Sequence, residues 1–194
     1  GKMPNYSKIY DLIISEHEGY NHPTGSPGYR LTMQNRERLI SFGPSHLDVG
    51  CGAGFVVELM RSHLFRKQSF GVDVSSVGIE KTNSRLGGDY AFHIKDRKIP
   101  FEDHRFDIVT CFDVLEHLDE QDIRDLRSEM FRIAKKESVL FCNISLREAG
   151  SVDYNGDNLH RTVKSADWWD SIFDFDEYSV NKQFMEMTAW KYIK

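Results

Sequence analysis

His46-Leu47-Asp48-Val49-Gly50-Cys51-Gly52-Ala53-Gly54 decides the fold of this chain. A short apolar strand runs into three glycines spaced by two. Apolar helix-forming residues follow at once: Phe55, Val56, Val57, Leu59 and Met60. Strand, glycine turn and helix in this order make a nucleotide-type binding element. Glycine lets the backbone turn tightly and approach a ligand where a Cβ would clash. The new helix points its unsatisfied N–H groups toward whatever occupies the turn.

The next strand carries the second half of the signal. Phe70-Gly71-Val72-Asp73-Val74-Ser75 reads as a strand with an acid near its C-terminal end, and Asp73 follows Gly52 by 21 residues. An acidic side chain about 20 residues beyond the glycines holds ribose hydroxyls in βαβ nucleotide sites. A carboxylate suits that task because it accepts hydrogen bonds from two adjacent hydroxyls.

Asp48 makes the wording more specific. Asp-Val-Gly-Cys-Gly-Ala-Gly resembles motif I of the class I S-adenosylmethionine-dependent methyltransferases. A carboxylate before the glycines would repel a dinucleotide pyrophosphate, whereas S-adenosylmethionine carries a sulfonium and an ammonium. A dinucleotide site and a purely structural turn remain as alternatives. The resemblance continues in Ile99-Pro100-Phe101-Glu102-Asp103-His104-Arg105-Phe106-Asp107-Ile108-Val109, similar to the family's "LPF…D…FDxV", and in Val114-Leu115-Glu116-His117-Leu118, similar to its "VLEHL".

The resemblance implies the following site. Gly50, Cys51, Gly52 and Gly54 face the methionine part of the cofactor, and Asp48 neutralises its cationic end. Asp73 holds the ribose, Val74 and Ser75 border the adenine, and Asp96 meets the adenine amino group. Asp96 stands one place nearer the proline than is common in the family. Phe112 and Asp113 close the floor, and His117 and His160 are the candidate bases. Cys51 reads as a small turn residue rather than a nucleophile.

Asp113, Glu116 and His117 at i, i+3 and i+4 would share one helix face, with Val114, Leu115 and Leu118 on the other. Some relatives, among them small-RNA 3′-terminal 2′-O-methyltransferases and quinone-pathway O-methyltransferases, bind a divalent ion through Glu-x-x-Glu-His and a distant His. Here the matching set is Asp113, Glu116, His117 and His160, and mixed O/N ligation suits Mg²⁺, Mn²⁺ or Zn²⁺. The metal-free reading is preferred.

The rest of the chain fits an α/β class: a Rossmann-like, doubly wound, seven-stranded, mostly parallel sheet with an antiparallel C-terminal hairpin. Expected strands are Leu47–Val49, Phe70–Val74, Tyr90–Ile94, Phe106–Phe112 and Ser138–Ile144, then the pair Tyr178–Phe184 and Met187–Ile193. Expected helices are Ile9–Ser15, Arg30–Phe42, Phe55–Phe65, Val77–Leu86 (interrupted at Gly78), Gln121–Lys135 and a helix capped by Ser165 that runs through Phe173. His17–Tyr29 reads as loop. Residues 1–29 form an arm or lid, with Tyr20, His22 and Tyr29 bordering the substrate pocket, and 30–194 form the methyltransferase domain. Arg147–Lys164 is an 18-residue connection, long enough that function or disorder is expected of it.

At 194 residues, 40% hydrophobic and 12% aromatic, the chain suits one soluble domain with a full core. A net charge of −5 argues against a broad nucleic-acid face. No apolar run is long enough for a membrane span, and the start shows no signal-peptide pattern. The three cysteines, Cys51, Cys111 and Cys142, have no metal-type spacing and fit reduced thiols in a cytoplasmic compartment. The expected partner is a small-molecule methyl acceptor with O or N as nucleophile, and S-adenosylhomocysteine is the expected product. A non-catalytic cofactor-binding sensor or partner subunit and a metal-dependent RNA 2′-O-methyltransferase are the alternatives. Oligomeric state is not legible in the sequence.

Overall fold

The computed structural model describes residues 4–16 and 22–194. Helix α1 spans Tyr6–Glu16. A 3₁₀ turn at Pro23–Gly25 leads into α2, Pro27–Gln34, and α3, Arg36–Ile40. Strand and helix then alternate: β1 Ser45–Val49, α4 Phe55–Arg61, β2 Gln68–Asp73, α5 Ser76–Leu86, β3 Ala91–His93 and β4 Phe106–Phe112. After a 3₁₀ turn at Leu115–His117 come α6 Glu120–Ile133, β5 Ala134–Ser145, α7 Ala166–Phe173, β6 Glu177–Asn181 and β7 Glu186–Ile193.

The seven strands lie in the order β3-β2-β1-β4-β5-β7-β6. β1 to β5 are parallel, and β7 runs antiparallel to both β5 and β6. β7 is therefore the single reversed strand, and the Rossmann-like expectation holds. β1 pairs with β2 on one side and β4 on the other. The chain order reverses there, which opens the ligand crevice of a doubly wound sheet beyond the carboxyl ends of its strands.

The central strands are buried on both faces; β4 and β5 are mostly apolar, whereas β1 carries the buried polar residues His46 and Asp48. Val109, Cys111, Leu140 and Cys142 pack beneath α6 and α7 with Ile123, Met130 and Trp169. Ile108, Val139 and Phe141 pack on the opposite face with Val56, Leu59 and Met60 of α4 and Leu31 of α2. Arg132 of α6 donates to the Ile99 and Phe101 carbonyls, fixing the Ile99-Pro100-Phe101 segment.

Several boundaries differ from expectation for local reasons. The helix expected over Arg30–Phe42 begins earlier and is broken. The Ser26 hydroxyl accepts from the Tyr29 amide and Pro27 occupies the first turn, a strong start signal inside a stretch read as loop. Asn35 then turns its side-chain amide back onto the Leu31 carbonyl at 2.8 Å and separates α2 from α3. The part of the expected loop at 17–21 lies outside the described residues, Tyr20 included. α5 runs unbroken through Gly78, where an added Cβ would stand 2.9 Å from the Gly52 carbonyl oxygen. Glycine there is a close-packing device between helix and turn. α4 ends at Arg61, short of Phe65, and Lys135 belongs to β5 because the strand starts directly after α6. β6 stops at Asn181, whose side chain accepts the Gln183 and Phe184 amides and closes the hairpin turn.

The long connection 147–164 is ordered by its own polar residues. Asp153 accepts the amides of Asn155 and Asp157, and Asn158 bonds both backbone groups of Ala149. Thr162 then ties the loop to the turn after β4, through its amide to the Glu116 carbonyl and its hydroxyl to the Leu118 carbonyl.

Candidate active site

The carboxyl ends of β1, β2 and β4 open into a cavity of about 940 Å³, within the range of small-molecule clefts. Its floor is the glycine turn. Gly50 has φ 80°, and a Cβ there would sit 2.2 Å from Val114 Cγ2; Gly54 has φ 83° and meets Thr82 at 2.4 Å. Both positions need glycine for the turn itself. Gly52 is the open one, with nothing among the described residues within 4 Å of an added Cβ. The turn's own amides are spent internally: Gly50 and Cys51 donate to the Val72 carbonyl, Gly54 to the Cys51 carbonyl, and Gly52 to Asp73. The turn therefore presents shape and close backbone rather than free N–H groups at these positions.

Asp73 is fixed at the end of β2 by two amides, Gly52 at 2.8 Å on one oxygen and Ser75 at 2.9 Å on the other. Each oxygen keeps a lone pair for a further donor, which is what a vicinal diol requires. Burial pushes its carboxyl above the usual range, against the pull of these amides. Asp48, at the end of β1, accepts the Thr110 hydroxyl at 2.7 Å, and burial pushes it up to about 7.

The remaining expected residues divide. Cys51, Val74, Asp96, Phe112, Asp113 and His117 line the cavity. Asp96 reaches it through a tight turn in which it and Arg97 adopt left-handed φ of 52° and 60°, closed by the Lys98 amide on the Lys95 carbonyl. That turn accommodates the acid's shifted place in the sequence. Gly54 and Ser75 are not on the cavity wall. Ser75 is fully buried and caps α5 through the Gly78 amide. Cys51 is buried, with its thiol pushed well above its ordinary range by burial, and is no nucleophile.

The turn after β4 corrects the expected helix face. Asp113 adopts φ 54°, and the next residues form a single 3₁₀ turn, which splits the polar side chains. Asp113 faces the cavity, bonded through its amide and carboxylate to Asn143, which also bonds Glu186. Burial and Glu186 raise its carboxyl above the usual range. Glu116 turns away and is 1% exposed. One of its oxygens accepts the Ser145 amide, the other has no partner among the described residues, and burial with Asp113 nearby pushes its carboxyl well up.

His117 returns to the cavity. Its Nδ1 donates to the Leu159 carbonyl at 3.0 Å, leaving Nε2 as the acceptor nitrogen. Burial, then His160, holds its imidazole down at about 4, so it is neutral at ordinary pH. His160 is not on the cavity wall. It stands edge to face with His117, centroids 4.9 Å apart, with Nδ1 at 2.5 Å from the Arg147 carbonyl. One ligand-type atom from each of Glu116, His117 and His160 lies within 4.8 Å of the others, and Asp113 is not part of that group.

The sequence analysis expected an N-terminal arm over the pocket but not the residues that line it. α1 lies across the cavity and contributes Tyr6, Ser7, Tyr10 and Ile14 to its wall. The Tyr6 hydroxyl donates to Asp122 at 2.8 Å and accepts the Asp119 amide at 3.1 Å. Gly28 of α2 fits against Phe112, where a Cβ would be 2.6 Å from the ring. Of the arm residues expected at the pocket, Tyr29 packs into the α2–α4 cluster instead, and His22 is exposed. Trp169 is core, and Trp168 packs partly buried against it.

The site fits S-adenosylmethionine on three observations: a ribose-type carboxylate with lone pairs to spare, a carboxylate rather than a cation beside the glycine turn, and an unobstructed Gly52. The comparisons agree. A family described as a methyltransferase domain matches residues 47–142. The mitochondrial ubiquinone biosynthesis O-methyltransferase of Candida albicans is 39% identical over 96 residues, 45% of this chain and 28% of that protein's length. A SAM-dependent methyltransferase from Aquifex aeolicus superposes with a TM-score of 0.67 at 17% identity, covering 100% of both chains. Phosphoethanolamine N-methyltransferase 2 of Haemonchus contortus, solved with S-adenosylhomocysteine, gives 0.70 at 18% identity over 91% of this chain and 46% of that one. Residues 47–142 of this chain are thus a methyltransferase domain of the S-adenosylmethionine-dependent kind, within a class I methyltransferase fold.

Proposed function

We propose that this protein moves a methyl group from S-adenosylmethionine to an oxygen or nitrogen of a small-molecule acceptor. The observation that carries the reading is the continuity of one cavity, which joins Gly52 and Asp73 to Asp113, His117, Tyr6 and Tyr10. When bound, the cofactor supplies a methyl group already activated by a positive sulfur. Asp73 would hold the ribose, Val74 and Asp96 the adenine side, and Asp48 the cationic methionine end. Phe112 and Asp113 would form the floor beneath the reacting centre. His117, neutral and with Nε2 free to accept, would take the proton of an acceptor hydroxyl. The α1 roof would exclude water and hold the acceptor in line.

A metal-assisted version rests on one observation: the orphaned Glu116 oxygen beside His117 and His160. Both imidazoles already give Nδ1–H to carbonyls and the second Glu116 oxygen takes an amide, the outer bonding that metal ligands use. Mn²⁺ broadening of the His117 and His160 NMR signals, abolished in Glu116→Gln, would support it. A net charge of −5 disfavours an RNA acceptor. Three buried free thiols are consistent with a reducing, cytoplasm-like compartment, and among the described residues no helix is long and apolar enough to cross a membrane.

The test is turnover. Phenols, catechols, small amines and RNA are offered with labelled S-adenosylmethionine, with Mg²⁺ or with EDTA, and S-adenosylhomocysteine is counted. Product with a small acceptor, reduced about 10²–10⁴-fold in His117→Ala, is expected. Cofactor binding without turnover on any acceptor would leave a sensor or partner subunit. Product with RNA alone would overturn the small-molecule reading.

A further inference from the structure

Behind Asp48 lie three buried polar residues to which the proposed reaction assigns no role. A line of polar side chains crosses the sheet beneath the cofactor cavity: Ser69 on β2, His46 and Asp48 on β1, and Thr110 on β4. Ser69, His46 and Thr110 are 0% exposed, and Asp48 is 3% exposed. Successive contacts measure 2.6 Å from Ser69 Oγ to His46 Nδ1, 2.7 Å from His46 Nε2 to Thr110 Oγ1, and 2.7 Å from Thr110 Oγ1 to Asp48 Oδ1. Strand register brings them together. His46 lies opposite Ser69, Asp48 lies opposite Thr110, and residues two apart on β1 share a face.

Such a line is expensive to bury unless every member is satisfied, and apolar residues would pack these central strands at no such cost. The proton bookkeeping gives it a direction. A carboxylate has only lone pairs, so Thr110 must donate to Asp48. The Thr110 oxygen then accepts from His46, which must carry its proton on Nε2. His46 Nδ1 is left as acceptor and takes the Ser69 hydroxyl. All three donors point toward Asp48, the one member that reaches the cavity.

We infer that Ser69, His46 and Thr110 form a positioning relay that keeps the Asp48 carboxylate ionised and aimed for the cationic end of the cofactor. The inference rests on the cofactor reading above and adds three residues that touch neither cofactor nor acceptor. Burial and Asp73 both favour the protonated form of Asp48, and the Thr110 hydroxyl opposes them. His46 is itself held down at about 3 by burial and by Lys67 and Arg61, so it stays a neutral donor. Asp73 on β2, Cys51 in the turn and Cys111 on β4 interact electrostatically with Asp48; Tyr6, Tyr10, Asp96, Arg97, Asp113, His117, Asp122 and Asp125 are the other titratable groups on the wall of the cavity it reaches. The Thr110 hydroxyl bonds Asp48 and His46, so a change there isolates Asp48 from the rest.

The experiment is S-adenosylhomocysteine affinity by calorimetry from pH 5 to 9 in wild type, Thr110→Val and Thr110→Ser. Losing the donor raises the pH below which affinity falls by about one to two units in Thr110→Val, while Thr110→Ser keeps the wild-type profile. A Thr110→Val profile that coincides with wild type overturns the relay, whatever the variant's melting temperature. Absence of binding by wild type at every pH would instead overturn the cofactor reading. If Thr110→Val does not fold, ¹⁵N NMR of His46 in the unaltered protein decides. A neutral Nε2–H tautomer supports the relay, and a proton on Nδ1 contradicts it.

Discussion

The Asp11 carboxylate, on helix α1, accepts the Ser75 hydroxyl at 2.6 Å and the Val77 amide at 3.1 Å at the start of α5. With Tyr6 bonded to Asp122 at the start of the helix and the Lys81 ammonium donating to the Ile14 carbonyl near its end, α1 is fastened along its length over the cavity.

Asp11→Ala therefore loosens the roof. Loss of a helix-capping carboxylate costs about 1 kcal/mol, or about fivefold in binding. The expected result is faster amide exchange over Tyr6–Glu16 and S-adenosylhomocysteine affinity weaker by that factor. Unchanged exchange in α1 would show that Asp11 does not hold it.

Asp73→Asn tests the ribose acid. Both Asp73 oxygens face backbone N–H groups, from Gly52 and Ser75, so the asparagine NH₂ must oppose one of them. Loss of charged hydrogen bonds to a diol predicts affinity down by about 10–100-fold. Calorimetry with S-adenosylhomocysteine checks it, and retained affinity would remove Asp73 from the site.

His117 gives a pH prediction. Its imidazole is held at about 4 in the fold against 6.5 when free. Between these values the unfolded chain binds a proton that the folded chain does not, so this residue makes stability fall as pH drops below about 6.5. Asp48, held at about 7 against 3.8 when free, acts in the opposite sense over that window. His117→Gln should lose about 2 kcal/mol less than wild type between pH 7 and pH 5. Urea unfolding at the two pH values measures the difference; equal losses would mean that His117 is not buried as a neutral base.

The sheet was legible because its information is local. Phe106–Phe112 is apolar apart from Asp107 and Thr110, and the glycine turn follows a short strand that ends in Val49. An arm over the pocket was expected, but its anchoring residues were not legible, because their contacts are distant: Tyr6 meets Asp122 across 116 residues and Asp11 meets Ser75 across 64. Ser26-Pro27 was a readable cap and helix start, hidden by the glycines, prolines and histidines around it. Asp113, Glu116 and His117 misled because helical spacing was applied to a single 3₁₀ turn, entered through a left-handed residue. Ser69, His46 and Thr110 stand in three separate strands, and only the register joins them.

The most direct test of the central claim is thermal unfolding with S-adenosylhomocysteine, against NAD and ATP. Ligand at about 100 times its Kd should add about 2.7 kcal/mol. For a chain of this size that is a rise of about 5–10 °C in Tm. A rise of this order with S-adenosylhomocysteine and none with NAD or ATP is the predicted result. No rise, or a rise with NAD instead, would contradict the assignment of the glycine turn and of every role built on it.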